Sequence, residues 1–275
     1  LAAEPGNMKL ATSVLLLPLL NPVDIAEQVA TIDHISEGRF ILGLGLGYRP
    51  EEFEAFGTSL KHRAARNSEA LELMIRLWTE DEVTHHGRFF DVSNARPTAR
   101  TYQKPHPKIW LAAMSDPAVR RVGREGHTLF IGPAQSYEVT KRHIDIYREE
   151  LDRNGHPPPE DIVLLREFFC ANSRTEALEK ASAGFQRKYE VYGAHGFQGS
   201  NDELADIVTG DIETQTDSAF VIGSPQDCIE ELARYRDLGV TQVAMRLYYP
   251  GMSQKETHEH IELVGREVLP ELHRW

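Results

Sequence analysis

Cysteine is nearly absent from this chain: Cys170 and Cys228 are the only two in 275 residues. Two thiols so far apart do not make a disulfide scaffold. They fit a reducing compartment, so a cytoplasmic protein is expected. Positive charge is short as well, with 30 Lys and Arg against 42 Asp and Glu, a formal net charge of −12. Nucleic acids and anionic membrane surfaces reward an excess of Lys and Arg, so neither is an expected partner. No apolar run is long enough to span a bilayer; the nearest, Val14 to Leu20, is short and interrupted by Pro18. No signal peptide is visible. Metal-ligand patterns are missing too. His85 and His86 are adjacent in an expected hairpin and point to opposite faces. His258 and His260 are two apart on an expected helix and do not share a face. With no H-E-x-x-H pattern and no cysteine cluster, no metal site is expected.

What is present is an ordinary globular balance, 41% hydrophobic and 26% charged, in a chain long enough for one large barrel or open-sheet domain. Strand-like and helix-like segments alternate. Strands are expected at Lys9–Leu17, Phe40–Leu46, Lys108–Ala113, His127–Ile131, Ile162–Ala171 and Gln242–Tyr248, with a brief apolar segment at Ala219–Ile222. Helices are expected at Pro22–Ser36, Asn67–Trp78, Pro117–Glu125, Tyr137–Arg153, Thr175–Tyr192, Pro225–Leu238 and Glu256–Leu272. Such alternation means parallel strands joined by crossover helices. A (βα)8 barrel needs eight strands to close. Six are convincing here and the first residue is Leu rather than Met, so a single barrel domain over 1–275 that lacks its first two βα units is expected. An open six-stranded sheet is the alternative. Two long stretches, 80–107 and 189–217, break the rhythm and read as loops or lids. The first carries a small hairpin through Val83–Phe90.

The most informative stretch is Gly38-Arg39-Phe40-Ile41-Leu42-Gly43-Leu44-Gly45-Leu46-Gly47-Tyr48. It reads as a strand buried on both faces that ends in glycines, where a ligand or another backbone can come close. A dinucleotide turn is G-x-G-x-x-G; here the third glycine is one residue early. The region Leu60–Arg66 supplies no acidic residue for a ribose, so the dinucleotide reading is rejected.

Three segments resemble the luciferase-like flavin-dependent oxidoreductases, which include bacterial luciferase, alkanesulfonate monooxygenase and deazaflavin-dependent dehydrogenases. They are Thr12–Pro18 with Asn21-Pro22; Ile32–Phe40 with Gly43–Tyr48; and Gln103–Trp110 continuing to Ala113-Met114-Ser115. The resemblance implies a (βα)8 barrel of the bacterial-luciferase type with flavin at the carboxyl ends of the strands. It implies a non-prolyl cis peptide at Ser13-Val14 beneath the ring, and a flavin site lined by Gly43, Gly45, Gly47 and Tyr48. Ser115 matches the family's phosphate-binding serine, and Gly132 borders the same site. Ser115 also precedes Asp116-Pro117, a helix start, so plain capping is the competing role. Where the luciferase branch carries an arginine this chain has Leu46. That leaves strong FMN binding in doubt or passes the phosphate to Arg49, which could equally pair with Glu51 or Glu52. Ser224 reads as a cap only, with Asp227 completing a capping box.

Two catalytic candidates complete the set. Arg246 lies in the last strand and needs a partner there; a ligand in the site is the favoured reading, and a carboxylate of the helical shell is the alternative. His195, in a glycine-rich stretch, is the best acid/base candidate among the histidines, unless it is a solvated loop residue. The expected function is a monooxygenase using reduced FMN, supplied by a flavin reductase, and O2 on a small organic substrate. The alternatives are a deazaflavin (F-420) dehydrogenase or reductase and a non-catalytic flavin-binding protein. The resemblance also implies a homodimer.

Overall fold

The computed structural model describes residues 1–196 and 211–275, apart from the side chains of Asp217 and Ser218. The chain forms two compact units, Leu1–Ala112 and Ala113–Trp275.

The first unit is built around one strand. In chain order its elements are β1 (Leu10–Ala11), β2 (Leu15–Leu16), α1 (Pro22–Ile35), β3 (Phe40–Gly45), α2 (Pro50–Ala55), α3 (Arg63–Thr79), β4 (Val83–His86), β5 (Asp91–Ala95) and β6 (Lys108–Ala113), which ends at the boundary. All six residues of β3 are buried. It pairs in parallel with β1 (Leu10 opposite Phe40), β2 (Leu15 opposite Leu44) and β6 (Leu42 opposite Ile109). A strand with parallel neighbours and helices around it has no polar face, which explains the continuous apolar run. The expected strand Lys9–Leu17 is two short strands. The ladder breaks between them, where the Ser13–Val14 peptide bond is cis. A 3-10 turn, Leu17–Leu19, follows, with Pro18 in its first turn.

Helix α1 starts where Asn21 Oδ1 accepts the Val23 N–H at 2.9 Å, with Pro22 at the first position. Its apolar face packs on α3, where Trp78 Nε1 donates to the Ala26 carbonyl at 3.0 Å. Buried Asp33 accepts both the Gln103 backbone N–H (2.9 Å) and its side-chain Nε2 (2.7 Å), and Gln103 Nε2 also reaches Phe40 O (2.8 Å). The Asp33 and Gln103 segments are thus one device that fixes the entry into β3. The expected hairpin is present as β4 against β5, with its turn at Gly87–Phe90, and it extends past the expected Val83–Phe90 to Ala95. The turn is held by Glu69 on α3, whose carboxylate accepts the N–H groups of Arg88, Phe89 and Phe90 at 2.9–3.1 Å. Burial pushes that carboxyl up, but the Phe89 and Phe90 N–H groups and His85 outweigh it and hold it below its ordinary range.

The second unit continues α4 (Asp116–Arg124), β7 (Thr128–Ile131), α5 (Tyr137–Arg153), β8 (Val163–Cys170), α6 (Arg174–Ala194), α7 (Ile212–Ser218), β9 (Val221–Gly223), α8 (Pro225–Asp237), β10 (Gln242–Arg246) and α9 (Gln254–Leu263). β8 is its spine: all eight residues are buried, and β7, β10 and β9 pair with it in parallel. Alternation along β8 sorts its side chains. Phe168 and Cys170 join Cys228, Leu232 and Val264 in one apolar cluster. Phe169 joins Phe185, Tyr189, Phe220 and Tyr249 in another. The adjacent charges Arg166 and Glu167, both fully buried, point to opposite faces and must be neutralised separately. The closing helix, expected unbroken over Glu256–Leu272, changes to a π turn at Val264–Val268 and a short helix at Leu269–Leu272. Pro270 has no N–H to continue the regular ladder and its ring crowds the preceding turn. Of the expected loop 189–217, Tyr189–Ala194 belongs to α6 and Ile212 onward to α7. Phe197, Gly199 and Gly210 lie outside the described residues.

Candidate functional site

In the first unit the candidates stand at the carboxyl end of β3. Thr12 bonds Gly43 twice: its Oγ1 donates to Gly43 O at 2.7 Å and accepts the Gly43 N–H at 2.9 Å. A Cβ on Gly43 would lie 1.9 Å from the Thr12 carbonyl oxygen, and one on Gly45 would lie 2.5 Å from Val14 Cγ2. What comes close to these glycines is therefore the chain itself, at the segment that carries the cis bond. Gly47 has φ +72°, and Tyr48 is half-buried beside it. Arg49 Nη1 lies 3.5 Å from Glu52 Oε1, while its buried Nε has no hydrogen-bond partner among the described residues. Leu46 is half-buried and offers no charge.

In the second unit Ser115 is the N-cap residue of α4 but its side chain makes no capping bond. The serines starting α5, α6, α8 and α9 (Ser136, Ser173, Ser224 and Ser253) all accept a first-turn N–H. Ser224 forms the expected capping box with Asp227. Ser115 is exposed, so its hydroxyl is available, and the first turn of α4 adds N–H groups and the positive dipole end. Asp116 would repel an anion there, but it is paired with Arg142 Nε (3.3 Å) and His143 Nε2 (3.1 Å). Gly132 follows β7 and packs against Met114; a Cβ would lie 2.9 Å from Met114 Cγ. Its carbonyl accepts Arg166 Nη1 at 3.1 Å. Just beyond, Gln135 is buried with neither amide atom hydrogen-bonded.

Arg246 has a carboxylate partner, on the neighbouring strand β8 rather than on the helical shell. Its Nη1 donates to Glu167 Oε1 at 2.8 Å and lies 3.2 Å from Tyr192 Oη. The same Oε1 takes Lys188 Nζ and the Tyr189 hydroxyl, the latter at 3.0 Å. Tyr249 Oη lies 3.1 Å from Oε2 and accepts the Phe168 N–H at 2.8 Å. Burial pulls the Lys188 ammonium down to about 8, against the pull of Glu167. Burial, reinforced by Glu167, pushes the Tyr189 and Tyr249 phenols well up, so both stay neutral. Glu167, Lys188 and Tyr249 were missed as a group by sequence reasoning. The available signal was Arg166-Glu167 inside an otherwise apolar strand. His195 caps the end of α6 with its ring Nδ1 2.8 Å from Val191 O, and no hydrogen bond ties it to the Glu167 group among the described residues. No cluster able to hold a metal occurs among the described residues.

The profile of the luciferase-like monooxygenase family matches residues 1–242. The chain belongs to this family. It is 25% identical to the FMNH(2)-dependent dimethylsulfone monooxygenase of Pseudomonas putida, over 98% of this chain and 76% of that protein. Among solved structures it superposes, with TM-score 0.81 and 23% identity, on the oxygenating constituent of 3,6-diketocamphane monooxygenase from Pseudomonas putida in complex with FMN. That match covers 98% of this chain and 81% of the other. The coenzyme F420-dependent tetrahydromethanopterin reductase of Methanopyrus kandleri matches with TM-score 0.76 and 19% identity, over 96% and 83%. The fold is accordingly the parallel α/β fold of luciferase-like barrels. No helix among the described residues is long and apolar enough to cross a membrane.

Proposed function

We propose that this chain is a flavin-dependent monooxygenase that binds reduced FMN, delivered by a separate flavin reductase, and acts with O2 on a small organic substrate as a homodimer. The observation that carries the reading is Ser115: an exposed hydroxyl at a helix start, not used for capping, on the residue that matches the family's phosphate-binding serine. That hydroxyl and the first-turn N–H groups of α4 would hold the phosphate. Gly132 would border it. Ser13, Val14, Gly43, Gly45, Gly47 and Tyr48 keep the ring-contact role that the resemblance gives them. The reduced flavin supplies the electrons for oxygen activation when bound. The protein's part is to bind, orient and exclude water, with Arg246 and its carboxylate partner positioning substrate.

The second reading is a deazaflavin-dependent dehydrogenase or reductase that moves hydride without oxygen. Leu46 stands where the luciferase branch carries an arginine, which removes a charged partner for the FMN phosphate. Anaerobic titration of purified protein with reduced FMN and with reduced F-420 decides between them. Tighter binding of FMN supports the monooxygenase; binding of F-420 alone overturns it.

A further inference from the structure

The group around Glu167 is more than a satisfied salt bridge. One carboxylate faces two cations, Lys188 and Arg246, and its Oε1 already receives Lys188 Nζ, Arg246 Nη1 and the Tyr189 hydroxyl. Glu167 is fully buried, Lys188 keeps 11% of its side-chain surface and Arg246 keeps 30%. The tyrosines Tyr189 and Tyr249 are neutral and buried. Among the described residues the cluster thus carries one positive charge without a counter-charge. Burying an uncompensated charge is expensive, and a structure tolerates it where an anion completes the set.

Among the described residues the surplus is most accessible at Arg246. Arg246 is the last residue of β10 and lies opposite Glu167 in the parallel register. Its Nη1 is fixed on the carboxylate, so the guanidinium plane is pre-set. Nε and Nη2 make no hydrogen bond among the described residues, and this is the more exposed part of the cluster. A guanidinium held on one side and open on the other takes a two-oxygen acid group through paired N–H bonds. Aromatic rings stand next to it: Tyr192 lies 3.2 Å from Nη1, and Lys188 lies 5.6 Å from the centre of the same ring.

We propose that the open edge of Arg246, with Lys188 adding charge and Glu167 holding both in place, binds the carboxylate or sulfonate group of an organic acid, so that the substrates of this protein are organic anions. This deepens the monooxygenase reading and rests on it, since it names the substrate class of that same activity. Glu167 acts here as a positioning residue.

The test is calorimetric titration of the full chain with butanoate, 1-butanesulfonate and 1-butanol, with reduced FMN binding measured anaerobically on the same samples. Binding of either acid, no binding of the alcohol and an at least tenfold loss of acid binding in Arg246→Gln support the proposal. Equal binding of acid and alcohol, or unchanged acid binding in the variant, overturns it. Should Arg246→Gln lack a cooperative melt, Arg246→Lys carries the test. It keeps a charge for Glu167, loses the planar fork and is expected to bind acid more weakly than the wild type; undiminished binding overturns the proposal. FMN bound without acid binding defeats the substrate class alone; acid bound without FMN defeats the flavin reading alone.

Discussion

At the scale of single residues, Lys188 is where the chemistry of the fold is most exposed to measurement. Burial holds its ammonium near 8 instead of 10.5. The charged and titratable groups facing it are Glu167 on β8, Arg246 on β10, and the phenols of Tyr189, Tyr192 and Tyr249. The Tyr189 and Tyr249 phenols are pushed up, so Lys188 is the member expected to titrate first above neutrality. Below pH 8 both folded and unfolded chains hold its proton, and the folded state carries the full cost of the buried charge. Between 8 and 10.5 the unfolded chain keeps the proton while the folded one releases it, so stability gains from this group as pH rises. The stability difference, wild type minus Lys188→Met, should therefore be flat from pH 6 to 7.5 and grow in favour of the wild type from 8 to 10.5. Urea unfolding at a series of pH values checks this; a flat difference throughout contradicts it.

At the scale of elements, helix starts and strand ends separate structural from functional roles. Ser224 spends its side chain on a capping box, whereas Ser115 does not cap. Ser224→Ala is expected to cost about 1 kcal/mol of stability. Ser115→Ala should leave the melt within a few tenths of a kcal/mol, the size of a neutral surface change, yet weaken FMN binding. Equal destabilisation by both substitutions would place Ser115 among ordinary caps. Gly43→Ala puts a methyl 1.9 Å from the Thr12 carbonyl, where only backbone can yield. Its cost should reach or exceed the about 1–3 kcal/mol of ordinary overpacking, measured by chemical denaturation.

The same scale shows what a reader of the sequence can reach. The expected bounds of α5 coincide with Tyr137–Arg153 and those of β6 with Lys108–Ala113, because local apolar period and turn residues carry that information. The glycines of β3 were legible as a place of close approach. That the approaching atoms belong to Thr12 and Val14 was not, since it depends on strand pairing. The Glu167 group was out of reach for a plainer reason. Its members come from β8, α6, β10 and the segment after β10, with no shared spacing, and only the fold assembles them.

For the whole molecule, the proposed function requires that the luciferase-like fold holds a phosphorylated flavin whose phosphate Ser115 receives. FMN- and F420-linked structures both superpose on the chain, so the phosphate contact is the feature to measure. The most direct measurement is anaerobic binding of reduced FMN and of reduced riboflavin, which share the ring and differ in the phosphate, to wild type and Ser115→Ala. The wild type is expected to prefer FMN by at least tenfold, and Ser115→Ala to lose most of that preference while still binding riboflavin like the wild type. Equal affinity of the wild type for the two flavins, or an FMN preference that survives the substitution intact, would contradict the proposed function.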